Sequence, residues 1–113
     1  MNNELRKQAV KHLDEYIEWI KSSESRGRET YPRHLGRVLC VRNELDWLRG
    51  MISFDEFLDA HIILMNVSHM LGIYYERSQG SKNVTNREDV WETARRVGEW
   101  ARQLKDMAKK HTS

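Results

Sequence analysis

Apolar residues recur at three- and four-residue spacings in four stretches of the chain, separated by polar tracts. In the first stretch Leu5, Ala9, Leu13, Tyr16, Ile17 and Ile20 share one face, and Lys7, Lys11, Asp14, Glu15 and Glu18 share the other, which predicts a helix over about 3–22. In the second, Tyr31, Leu35, Val38, Val41, Leu45 and Leu48 make the stripe of a helix over about 32–49. Pro32 suits its first turn, where a missing N–H costs nothing, and Gly50 suits a left-handed residue after its end. Ser53 and Glu56 have the spacing of a capping box, with Ile52 and Phe57 placed as a hydrophobic staple, so a third helix is expected over about 54–77. The fourth, over about 86–110, has the narrow stripe Val90, Ala94, Val97, Ala101, Leu104 and Ala108, with a possible capping box from Thr85 to Glu88. Its alanines and Gly98 would admit a neighbouring helix at close range. Segments 22–30 and 78–83 are polar, carry Gly27 and Gly80, and read as loops. The link between the second and third helices is short, so those two should pack antiparallel. The expected architecture is an all-α four-helix bundle, one domain over residues 1–113.

The third helix stands apart from the others. Segment 54–75 holds 14 of the chain's 44 apolar residues. On a helical wheel Phe57, Leu64, Ser68, Leu71 and Tyr75 centre one face. The far side holds Asp55, Asp59, Asn66 and Glu76, but also Ile62 and Ile73, with Ile63 and Met70 beside them. A helix with apolar residues on both sides is usually covered on both sides. A four-helix domain this small rarely encloses one helix, so a homodimer through Ile62, Ile63, Met70 and Ile73 is expected. Trp19, Trp47, Trp91 and Trp100 all sit at the margins of their stripes. Trp19 and Trp47, with Arg33 and Arg37, are the residues expected to meet a different protein partner. The same apolar segment contains Asp55, Glu56, Asp59, His61, Asn66 and His69, which are costly in hydrocarbon, so it reads as a core helix and no membrane partner is expected.

Composition agrees with helices. The chain has 113 residues, 39% of them hydrophobic, and a single proline with six glycines leaves little room for the turns of an all-β domain. Nineteen Lys and Arg against seventeen Asp and Glu give a net charge of +2, too balanced for the usual nucleic-acid footprint. The balance is local, however: residues 77–113 carry nine bases against five acids. Arg26, Arg28, Arg33 and Arg37 surround the first loop, and Arg95, Arg102, Lys105 and Lys109 line the fourth helix. Nucleic-acid binding is therefore the alternative reading, although no helix-turn-helix is visible. Cys40 is the lone cysteine, so no internal disulfide can form, and it is expected to be a buried, inert thiol. With no apolar signal core near the N-terminus, the expected location is cytoplasmic.

Candidate chemistry is thin. His61, Met65, His69 and Glu76 share a flank, yet no Glu-x-x-His or His-x-x-x-His pair occurs, and neither a metal nor another cofactor is expected. His12 and His34 would join such a site only through tertiary contact. Glu56 and Asp59 form one acidic pair of the kind repeated in helical nucleotide pyrophosphatases, with Glu88 and Glu92 as the only second pair available. Helix capping explains these acids more simply. Arg6–His12 and Arg28–His34 each enclose five residues, a spacing that resembles the Arg-to-His motif of the HEPN family of small helical ribonucleases. In that family the motif lies near the start of the last helix, whereas here the pairs fall in the first helix and before the second, so the activity is not carried over. The expectation is a non-enzymatic, self-associating regulator, adaptor or inhibitor of the kind bacteria and their phages encode.

Overall fold

The computed structural model describes residues 3–22, 31–48, 57–81, 84 and 86–112, the side chains of 31, 32, 111 and 112 excepted. Four helices follow in order: α1 (Asn3–Lys21), α2 (Tyr31–Trp47), α3 (Phe57–Arg77) and α4 (Arg87–Thr112). No strand occurs among the described residues. The capping box at Ser53, the staple residue Ile52, Gly50, Thr85 and the loop residues 23–30 lie outside the described residues.

The helices run up, down, up and down. Ion pairs fix the first antiparallel contact: Arg6 Nη1 meets Asp46 Oδ1 at 3.1 Å, and Arg42 Nε meets Asp14 Oδ1 at 2.9 Å. Residues early in α1 thus face residues late in α2. The third and fourth helices form the most extensive contact of the molecule. There the Ser68 hydroxyl donates to the Ala94 carbonyl at 2.9 Å, and a Cβ added at Gly98 would lie 3.2 Å from Ser68 Oγ. The small residues of α4 thus permit the close approach that their spacing predicts. All six stripe residues of α4, Val90, Ala94, Val97, Ala101, Leu104 and Ala108, are buried. So are Leu5, Ala9, Leu13, Tyr16, Ile17 and Ile20 of α1, and Val38, Val41, Leu45 and Leu48 of α2.

The turn between α3 and α4 is built from local bonds. Ser78 is buried, its N–H donates to the Tyr74 carbonyl, and Gly80 takes the left-handed conformation that glycine adopts freely. Asn86 also has positive φ (62°), and its carbonyl accepts from the N–H groups of Asp89 and Val90. Asparagine tolerates that conformation better than most side chains do, and here it begins α4.

The core face of α3 differs from the expected one. Ala60, Leu64, Val67, Leu71 and Tyr74 are buried, with Met70 beside them, while Phe57 and Tyr75 are only partly buried. At about 100° per residue the buried face is rotated by about 50–65° from that expected. Tyr74 explains part of the rotation: its ring stacks on Tyr16 of α1, with centroids 4.7 Å apart and planes 17° apart.

Candidate interaction surface

Rotating the core face of α3 moves its outward face as well. Leu58, Ile62 and Met65 now point away from the bundle, with 51%, 53% and 47% of their surfaces exposed. They follow one another at four and three residues, and the exposed His69 continues the line. Three large aliphatic side chains in one row are an apolar stripe of the kind that marks interaction sites. The antiparallel register set at Ser68 and Ala94, and repeated where Tyr75 Oη meets Glu88 Oε1 at 3.5 Å, places the C-terminal half of α4 beside this stripe. Arg102, Lys105 and Lys109 are exposed on that half. At the other end Trp91, 47% exposed, falls level with Gly72. The stripe is thus bordered by bases near Leu58 and approaches acids near Glu76 and Glu88.

The residues expected to self-associate divide three ways. Ile62 is on the outward face. Ile63 and Ile73 are half-buried against the core. Met70 is a correction: only 1% of it is exposed, because its side of α3 turns inward with Leu71 and Val67. Leu58 and Met65 belong to the surface in its place. Their spacing with Ile62 is the signal that could have found them, since Leu58, Ile62, Met65 and His69 form one unbroken row.

The expected partner-binding residues also separate. Trp47 is 69% exposed, and Arg33 and Arg37 are exposed on the same helix with no ion pair or hydrogen bond among the described residues. Trp19 is a correction, since it is buried against Tyr16 and Tyr74. Cys40 is another: it lies exposed on the solvent side of α2, off the line of Val38, Val41 and Leu45, with its thiol 3.7 Å from Glu44 Oε1.

His12 and His34 each have a structural partner, whereas His61 Nδ1 is buried with no hydrogen-bond partner among the described residues. His12 is buried; its Nε2 accepts from the Gln8 amide at 2.9 Å, which leaves Nδ1–H to donate to Glu15 Oε2 at 3.3 Å. His34 Nε2 meets the Tyr16 hydroxyl in a short hydrogen bond, and the two rings meet edge to face. Burial, then the positive charges of Arg77, Arg37 and His69, hold the His34 proton affinity below its ordinary value. No group of three His, Cys, Asp or Glu among the described residues is placed to hold a metal ion. Arg6 and His12 are both buried and engaged elsewhere, Arg6 by Asp46. Arg26, Arg28, Asp55 and Glu56 lie outside the described residues. Arg95 is held by Glu92 and Glu99, each at 2.6 Å, whereas Arg102 and Lys105 stand exposed further along α4.

Among the described helices α3 is also the one long and apolar enough to cross a bilayer by length and composition, a test that core helices of soluble proteins pass as well.

Comparison of the chain with protein-family models, with curated proteins and with solved structures finds no match.

Proposed function

We propose that the chain is a non-enzymatic interaction module, a small regulator or adaptor, whose working surface is the outward face of α3 and whose first partner is a second copy of itself. The observation that carries this is the row Leu58, Ile62 and Met65, half-exposed on the most apolar helix of the molecule. A two-fold antiparallel pairing of α3 between Ile62 and Met65 would lay each row on the other. It would also lay α4 antiparallel on its copy. The first turns of α4, residues 87–92, carry Glu88, Asp89 and Glu92 against Arg87, and the C-terminal half carries Arg102, Lys105, Lys109 and Lys110 against Asp106. In that arrangement the acidic start of each α4 faces the basic end of its copy, so the ends of the surface are complementary in charge and its centre in hydrophobicity. Gly72, with open space beside its Cα, would leave room for a partner's side chain.

Crosslinking tests this. In a Cys40→Ser background, Met65→Cys should be joined efficiently by a short bismaleimide at low micromolar protein. Glu18→Cys, on the exposed side of α1, should not. Equal crosslinking at both positions, or none at Met65→Cys, would refute the assignment. A salt-dependent shift on mixing with DNA or RNA, lost on replacing Arg102, Lys105 and Lys109, would instead favour nucleic-acid binding.

A further inference from the structure

A second surface lies away from the α3 stripe. A cavity of about 550 Å³ opens between the outer side of α1 and the residues that lead into α4. Trp19, Tyr74 and Val84 form its apolar wall, and Glu15 and Glu18 stand on its rim. Asp14 also borders it but is held by Arg42, and Lys11 is the single Lys or Arg among its described lining residues. The cavity is therefore aromatic on one side and acidic on the other.

Two side chains there are placed as if for a ligand. Tyr74 is 97% buried as a residue (3% exposed), lines the cavity, and its hydroxyl has no hydrogen-bond partner among the described residues. The Tyr74 ring is buried while its hydroxyl opens onto the cavity without a partner among the described residues, where a group entering the cavity can meet it. Glu15 is anchored through Oε2 by the buried His12, which leaves Oε1 to meet a ligand. Burial and the nearby Glu15 carboxylate push the Tyr74 phenol up to about 12, so it stays a neutral hydroxyl at any physiological pH.

We propose that this cavity binds an alkylammonium ion, with the cationic head between Glu15 and Glu18, the carbon chain against Trp19 and Val84, and the Tyr74 oxygen accepting an N–H. Carboxylates supply the charge, and the aromatic faces favour a cation over a neutral group of the same shape. A free polyamine and the side chain of a peptide lysine share this chemistry.

The test is an NMR titration of the full chain, read at the Trp19 indole N–H, with spermidine and with N-acetyl-lysine methylamide as separate probes. A saturable shift at Trp19 is expected, and the stronger probe identifies the source. The neutral 1,4-butanediol should cause none. Glu15→Gln with Glu18→Gln, both exposed and safe for folding, should weaken binding about fivefold to tenfold. Tyr74→Phe should weaken it while leaving the Trp19 resonance dispersed. Ile62→Asp should leave it unchanged, which separates this site from the α3 surface. A shift by butanediol equal to that by spermidine, a response that never saturates, or unaltered binding in the double Gln variant would each overturn the proposal.

Discussion

Adding one methyl group at Gly98 probes how closely α3 and α4 are fitted. The new Cβ would meet Ser68 Oγ at 3.2 Å, tighter than ordinary contact, while Arg102 Nη1 at 3.8 Å is a normal neighbour. Ser68 Oγ cannot simply move aside, because it donates to the Ala94 carbonyl at 2.9 Å. Alanine is favoured over glycine in a helix interior by about 0.8–1.0 kcal/mol. Displacing the Ser68 hydrogen bond costs about 1 kcal/mol. Gly98→Ala alone should therefore leave stability unchanged or slightly lower. In a Ser68→Ala background the obstructing oxygen is gone, Ser68 Cβ stands at 3.9 Å, and the same substitution should stabilise by about 0.8 kcal/mol. The expected coupling is about 1 kcal/mol, a difference of about 0.5 M in urea midpoint at typical slopes. The assay is urea unfolding by circular dichroism of all four proteins at one protomer concentration, since association would shift every midpoint. If Gly98→Ala stabilises equally in both backgrounds, the close approach assigned to Gly98 and Ser68 is wrong.

Other substitutions have equally definite outcomes. Met70→Asp puts a carboxylate where only 1% of the side chain is exposed and should destabilise by about 4 kcal/mol or more, whereas Ile62→Asp should change the stability of the monomer by less than about 0.5 kcal/mol; chemical denaturation separates them. His34 has its proton affinity lowered in the fold, so as pH falls below about 6.5 the unfolded chain takes up a proton that the folded chain resists, and stability should decline. Arg77→Gln should raise the His34 midpoint in an NMR titration, and an unchanged midpoint would show that Arg77 is not close to it. Tyr74 is pushed from 10.0 up to about 12, so its contribution to stability should be constant below about 10 and fall as pH rises towards 12, where the unfolded phenol ionises first. Tyr74→Phe should flatten that alkaline limb in thermal scans.

The legible parts of the fold are those where one face alone is apolar. The stripe of α4 is narrow and flanked by charge, so the residues from Val90 to Ala108 that it brings inward follow from spacing alone. The third helix is apolar nearly all round, and its periodicity does not choose between Tyr74 and Tyr75. The choice comes from stacking on Tyr16, a residue 58 positions away in sequence. For the same reason periodicity marks Ile62 as outward-facing but also sets Met70 outside, and it does not assign Leu58 and Met65 to the same surface. Trp19 and Trp47 occupy similar marginal positions in the sequence, yet Tyr74 covers the first and the second stays exposed. The cavity at Glu15 and Tyr74 leaves no mark in the sequence, because α1, α3 and the approach to α4 each supply only part of it.

Sedimentation equilibrium bears most directly on the proposed role of the α3 stripe. At tens of micromolar the wild-type chain should have a mass near twice the 13.5 kDa of one protomer, and Ile62→Asp with Met65→Asp should return it to 13.5 kDa with its helical spectrum intact. A wild-type mass of 13.5 kDa across the whole concentration range, or a double variant that remains dimeric, would contradict it.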